Sequence, residues 1–427
     1  MPPSTTQPCP VPVADLLAFI SAHWDDTVRH VTEDSGQIIG LPHPYTVPCR
    51  KDTFQELYYW DTFYTNEGLL AQGRVELARQ NVDNILHLVG RFGYMPNGNR
   101  TYYLTRSQPP HLALMVERVF AHTADRAWLA AALPRLEDEL TFWSTQRRAS
   151  CGLNHYGHHA DNAELIQSAQ GPDNRGNRAG KPPAVTAADR VLQSGHSNAE
   201  CESGWDFCPR FDGRCMDFCP VDLNALLYAS EYVLSRSHRL LGDPAKADAW
   251  ETRAALRATL MRDLLWSPEL GAFNDYDHVA GLRSTIVSPA SFYLIWLGLT
   301  TPAESASTLA LLPQVERPHG ILTCVPGPRV RICQWDAPNA WPPLQYATVQ
   351  ALLAAGRPAD ARRVAAVFFG TVARSFAATG DLWEKYNAET GDLHVQNEYG
   401  LPAMMGWTAG VSVVLGQLLS PDSSPLN

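Results

Sequence analysis

The sequence predicts an all-α protein built as one large domain of paired helices. Apolar residues recur at helical spacing in about a dozen segments. Start and stop signals frame several of those segments. Dividing 427 residues by about 35 per helix and loop gives about a dozen helices, the arithmetic of an (α/α)6 toroid. No internal repeat is visible, so periodicity by itself leaves another helical array open.

The periodic segments are 14–31, 75–92, 111–122, 125–144, 222–241, 244–265, 289–299, 346–355, 358–375 and 402–419. Asp222, and Asp243 followed by Pro244, stand where an N-cap is expected, and Gly242 and Gly356 stand where helices should stop. Residues 101–104 and 330–333 are strand-like and fit loop hairpins at the mouth of a ring. Between 152 and 200 the composition turns to Gly, Asn, Asp, Ser and Pro, most of all over 171–185, which predicts an active-site loop or lid. The organisation expected is a tail at 1–12, a single domain at 13–420 with that insertion, and a tail at 421–427.

The net charge of −10 comes without a Lys/Arg stripe, which excludes a nucleic-acid partner and predicts a neutral or modestly charged small molecule. No apolar run reaches the 18 or so residues of a membrane span, so no membrane partner is expected. The first twenty residues lack a basic start and an apolar segment, which predicts a cytoplasmic protein. Nine cysteines, an odd number, fit reduced thiols rather than a disulfide framework. Cys201, Cys208, Cys215 and Cys219 are spaced C-x6-C-x6-C-x3-C, without the short knuckle of zinc sites, and His158-His159 reads as polar loop, so neither metal nor cofactor is expected. A monomer is favoured.

The stretch from Gln334 to Pro343, QWDAPNAWPP, reads as the rim of a sugar pocket. Indoles pack on pyranose C–H faces, carboxylate and amide groups take hydroxyls, and three prolines limit the ordering entropy. Six further stretches accompany it: Phe54 to Tyr64 (FQELYYWDTFY), Met95 to Arg100 (MPNGNR), Thr105 to Pro110 (TRSQPP), Glu202 to Phe207 (ESGWDF), Leu382 to Asn387 (LWEKYN), and Glu398-Tyr399 ahead of Gly406 to Val411 (GWTAGV). In order and in wording they resemble the conserved stretches of the trehalase family of glycoside hydrolases. The resemblance implies the (α/α)6 toroid and an inverting, metal-independent hydrolysis of α,α-trehalose.

Glycoside cleavage needs one carboxyl that gives its proton to the leaving oxygen and another that attacks or activates water. Asp206 is the candidate acid, because flanking Trp205 and Phe207 would desolvate a carboxyl and keep it protonated. Its bland alternative is a helix cap before Pro209. The resemblance makes Glu398 the base, against the alternative of a surface glutamate in an ion pair. Inversion would place the two carboxyls about 6.5–9.5 Å apart with a water between. The resemblance further implies that Phe54, Trp60, Asp61, Asn97, Arg106, Gln108, Trp335 and Asp336 bind the sugar, while Glu384 and Lys385 either bind it or form an internal ion pair.

Thr53 stands where trehalases carry an arginine, and residues 154–168 hold no arginine where an Arg-Pro-Glu stretch belongs. Of three expected arginines only Arg106 is matched. Losing a bidentate donor leaves its partners without hydrogen bonds at about 1–3 kcal/mol each, so the leaving-group side is the altered one. Trehalose ranks first as substrate. Another α-glucoside or a glucosyl- or mannosylglycerate ranks second, and a sugar-binding protein without activity third.

Overall fold

The computed structural model describes residues 12–170, 186–327 and 333–420. In chain order its helices are α1 (Val13–His23), α2 (Tyr59–Ala71), α3 (Val75–Phe92), α4 (Leu112–Thr123), α5 (Arg126–Gln146), α6 (Asn162–Gln170), α7 (Ala187–Glu202) and α8 (Val221–Leu241). They continue with α9 (Pro244–Leu265), α10 (Phe292–Trp296), α11 (Pro302–Leu309), α12 (Leu312–Val315), α13 (Pro342–Ala354), α14 (Pro358–Thr379) and α15 (Gly406–Leu419).

Six of these close a ring. Helix α2 packs on α4, α4 on α8, α8 on α10, α10 on α13, α13 on α15, and α15 returns to α2. A second layer lies outside it: α3 against α2 and α4, α5 against α4 and α8, α9 against α8, α11 against α10, α14 against α13 and α15, and α1 against α15. This double ring is the (α/α)6 toroid, and it removes the choice that periodicity leaves open. The outer α3 keeps a clear apolar stripe, whereas α2 is buried at every position from Tyr59 to Asn66 and shows none, which is why the sequence pattern passes over it.

The ring closes where α2 meets α15, and two glycines make the closure possible. A Cβ on Gly68 would lie 2.5 Å from the Gly410 Cα, and one on Gly410 would lie 1.9 Å from the Tyr64 carbonyl oxygen. The two backbones touch, so no larger residue fits without separating the helices.

Local signals hold in part. The Asp243 side chain accepts from the Lys246 N–H at 3.0 Å with Pro244 opening α9, and Gly242 (φ +94°) and Gly356 (φ +69°) follow the ends of α8 and α13 in left-handed conformations. Asp222 is not a cap, because its carboxylate is taken by Arg210 and Pro220 holds the cap position of α8. The segment 14–31 is α-helical only to His23: a 3₁₀ turn follows over Trp24–Thr27, with Trp24 in the core, and Val28–Arg29 pairs with Tyr45–Thr46. Residues 101–103 form a 3₁₀ turn rather than a strand, and 330–332 lie outside the described residues. So do the bulk of both tails and the 171–185 part of the insertion, whose described flanks are α6 and α7 packed together, with a Thr186–Asp189 capping box opening α7.

Substituting Gly410→Ala should lower the free energy of unfolding by about 3–5 kcal/mol, because the new methyl overlaps a backbone carbonyl rather than a side chain that can turn aside. Denaturant titration checks this. A loss below about 1 kcal/mol would mean that the helix seam is not a rigid contact.

Candidate active site

The N-terminal ends of α2, α13 and α15 open onto a cavity of about 250 Å³. Its floor is a set of indoles. Trp335 stacks on Trp341 with ring centres 4.0 Å apart and planes 5° from parallel, and Trp205 and Trp60 each lie 5.5 Å from Trp335. Trp407 meets Trp341 and Trp60 edge-on at 5.8 and 5.9 Å. Gly204 (φ +73°) lets the chain pass under Trp60, where a Cβ would come within 2.7 Å of the indole.

The Gln334–Pro343 stretch is therefore not an exposed rim. Gln334, Trp335, Asp336, Asn339 and Trp341 are all buried. Burial is tolerated because the polar groups are matched: Asn339 Nδ2 donates to Gln334 O and Gln396 O, its Oδ1 accepts from Gln396 N, and Trp341 Nε1 donates to Gln334 O. Pro342 and Pro343 open α13.

The wall on the α2 side is fixed by backbone bonds. Tyr59 N–H donates to Asn97 O, Asn97 N–H to Arg106 O, and Trp60 N–H to the Gln108 side-chain oxygen. Ser107 N–H donates to Glu202, a fully buried carboxylate that Arg147 grips with two bonds of 2.8 and 2.9 Å. Burial opposes its charge, yet Arg147 and these N–H groups hold its pKa below the usual range. Phe54 has φ +49°, a left-handed backbone rare outside glycine, and its ring lies edge-on to Tyr58 and Tyr399.

Eight of the ten residues expected from the sequence line this cavity: Asp206, Phe54, Trp60, Asp61, Asn97, Arg106, Gln108 and Trp335. Two do not. Asp336 is buried beside Trp335 with one carboxylate oxygen accepting from Ala337 N–H. Glu398 is half-buried, and its chain neighbour Tyr399 is the lining residue. Among residues the sequence reading left unassigned, Tyr58, Tyr103, Gln334, Trp341 and Trp407 also line it.

Glu384 makes the internal ion pair weighed for it and also faces the cavity. It lines the cavity, and its carboxylate accepts from Lys385 Nζ at 2.5 Å and from Tyr399 OH at 2.6 Å. Gln334 is a junction. Its Nε2 donates to Asp206 O at 3.4 Å and to Tyr399 OH at 3.2 Å, and its Oε1 accepts from Glu398 N–H and Lys385 Nζ, both at 3.3 Å. One amide thus joins the segments that carry Asp206 and Glu398. Its position in the Trp-rich stretch was the only available signal.

The electrostatics are one-sided. Asp61, Asp206 and Glu384 line the cavity, and Arg106 is the one guanidinium among the described lining residues. Burial, then the charges of Glu384 and Asp206, push the Asp61 carboxyl up to about 8. Arg106 is buried, its guanidinium carbon lies 5.2 Å from the Tyr103 ring centre, and its Nε has no hydrogen-bond partner among the described residues. Thr53 is exposed and contributes nothing to this wall. Among the described residues no three His, Cys, Asp or Glu side chains gather as a metal site, the four cysteines from Cys201 to Cys219 included, and no helix is long and apolar enough to cross a membrane.

Known proteins with this sequence and shape agree with the geometry. The family model described as Trehalase matches residues 16–419. A periplasmic trehalase of Pseudomonas aeruginosa is 33% identical over 96% of this chain and 78% of its own, and one of Xanthomonas axonopodis pv. citri is 34% identical over 94% and 72%. Among solved structures, neutral trehalase Nth1 from Saccharomyces cerevisiae superposes with a TM-score of 0.76 at 24% identity, covering 97% of this chain and 81% of that one. A GH63 mannosylglycerate hydrolase from Thermus thermophilus shares the fold, with a TM-score of 0.64 at 16% identity over 93% and 99%. The expectation of a cytoplasmic protein is corrected by the bacterial relatives about a third identical to this chain, which are named periplasmic trehalases. A leader read only from the first residues was too narrow a basis for it. With a toroid, an indole-floored cavity bearing carboxyl groups, and a family match over nearly its whole length, the chain belongs to the trehalase family of glycoside hydrolases.

Proposed function

We propose that this protein hydrolyses α,α-trehalose to glucose with inversion, Asp206 acting as general acid and Glu398 as general base. The observation that carries this reading is the cavity in which Asp206 stands among sugar-directed residues drawn from separate stretches of the chain. Asp206 gives its proton to the glycosidic oxygen as the bond from that oxygen to the anomeric carbon breaks. Glu398 takes a proton from water, whose oxygen bonds to the same carbon from the opposite face. The attacked ring leaves as β-glucose and the other as glucose of unchanged configuration. Trp335 and Trp60 supply stacking faces, and Asp61, Asn97 and Gln108 take hydroxyls.

Relatives named trehalase over most of this chain favour a disaccharide over a glycerate aglycone. A periplasmic location follows the relatives' names.

Proton NMR of early turnover with trehalose should show β-glucose from the attacked ring, and the appearance of α-glucose alone would overturn the inverting assignment. Asp206→Asn and Glu398→Gln should each lower kcat by about 10³-fold or more with the melting temperature kept within a few degrees. A fall under tenfold in either would mean that another carboxyl does that work.

Gln334→Ala should lower kcat by about 10–100-fold while KM moves much less, because its amide fixes the carriers of acid and base rather than the sugar. Equal losses in kcat/KM through KM alone would make it a binding residue instead.

Asp61 gives a pH test of sign. Its folded-state pKa is raised from 3.8 to about 8, so the native protein keeps a proton that the unfolded chain releases, and this contribution to stability is full below 3.8 and lost as pH rises to about 8. The melting temperature of the wild type should therefore fall from about pH 5 to about pH 8 more steeply than that of Asp61→Asn. Glu139, raised to about 7 by burial, is common to both proteins and cancels. Parallel profiles would show that Asp61 is charged in the free protein.

A further inference from the structure

Outside the described lining of the cavity, two sulfurs face each other. Cys151 lies in the tight turn after α5, closed by the Ala149 N–H to Leu153 O bond of 2.8 Å, and Cys219 lies in the short strand Phe218–Cys219 that leads into α8. Their Sγ atoms are 3.7 Å apart, although the residues are 68 positions apart in sequence. Cys151 is half-buried and reachable from solvent, while Cys219 is fully buried behind it. A hydrogen bond from the Cys219 thiol, the largest influence, brings Cys151 down to about 6, and the same contact pushes Cys219 up. The outer sulfur is thus the nucleophile at neutral pH and the inner one holds its proton.

We infer that Cys151 and Cys219 form a disulfide when the protein meets an organic disulfide oxidant, and that this bond staples the acid-bearing segment to the ring. The Cys151 thiolate attacks one sulfur of the oxidant and expels a thiolate. The Cys219 sulfur then attacks Cys151 Sγ, and the second thiolate leaves. Two protein thiols lose two electrons, one external disulfide is reduced to two thiols, and the two protons end on those thiols. The sulfurs must close from 3.7 Å to about 2.04 Å, a movement that rotation of both side chains and the surface turn can supply. The chain enclosed by the bond contains α6, α7 and Asp206. Relatives named periplasmic trehalases occupy a compartment where disulfides persist, but the inference rests on the sulfur geometry and not on location.

The test uses the full chain, reduced and then incubated with oxidised glutathione. Peptide mapping without reductant should find Cys151 and Cys219 in one cross-linked pair lacking two hydrogens. Thiol titration of the denatured protein should fall by two from nine. The melting temperature should rise by about 5 °C or more and return on adding dithiothreitol. Because neither sulfur lines the cavity, kcat on trehalose should stay within about twofold. Cys151→Ser, at the half-buried position, and Cys219→Ala should each abolish both the cross-link and the thermal shift. A stable glutathione adduct on Cys151, a cross-link joining other cysteines, no cross-link, or a bond without a thermal shift would each overturn the inference.

Discussion

A buried guanidinium holds the chemistry in place. Arg210 is inaccessible to solvent and is met by Asp222 on one side, at 2.7 Å, and by Asp275 on the other, at 2.8 Å. Burial alone would favour losing its charge, but the two carboxylates raise its pKa far above the ordinary arginine value. Asp275 also accepts from Val221 N–H at the start of α8, so the group ties an otherwise irregular segment to an inner helix. Such a charge cluster adds little net stability against an apolar replacement, yet removing one partner would leave a charge stranded. Its use is positional. The Arg210 guanidinium lies 4.3 Å from the Trp205 ring, Trp205 stacks on Trp335, and Trp335 on Trp341, so the floor beneath Asp206 is built outward from one cation.

Much of this was legible from the chain alone, for identifiable reasons. Outer helices such as α3 and α9 have one wet face, and their predicted limits, 75–92 and 244–265, coincide with those observed. Two inner helices, α2 over 59–66 and α13 over 342–349, are buried at every position, which erases the periodic signal of α2 and blurs the start of α13. The cavity residues were readable because they fall in the short stretches that resemble the conserved ones of the family. What escaped was whatever depends on meeting across the fold. Gln334 looked like one polar letter in an aromatic run, and only the folded ring brings Asp206, Glu398, Tyr399 and Lys385 around its amide. Asp222 looked like a helix cap for the same reason, since Arg210 is twelve positions away and invisible to local rules.

The carboxyl groups of the cavity are placed at a cost to stability. Asp61, Asp206 and Glu384 repel one another in a poorly solvated space, and burial together with that repulsion is the origin of the raised Asp61 pKa. Lys385 relieves the repulsion from behind the wall. It is fully buried, it pairs with Glu384, and its ammonium lies 4.6 Å from the Trp341 ring centre. A neighbouring pair in sequence seldom makes a useful ion pair. Here the residues Tyr386–Asn387 pair with Asn339–Ala340, and that short ladder holds the Glu384–Lys385 segment against the Trp-rich one. The cation is thereby kept out of the described lining, which presents carboxyl groups rather than a free ammonium.

The arginines explain how a site of this family can differ while its floor is kept. Thr53 is exposed, and the buried Arg147 is spent on Glu202, where it braces the backbone of Ser107 and Gly157 instead of reaching the cavity. Arg106 is left as the guanidinium of the described wall, with one face near Tyr103 and an Nε–H that finds no acceptor among the described residues. The described wall thus carries its positive charge at a single position, where the family resemblance implies three arginines.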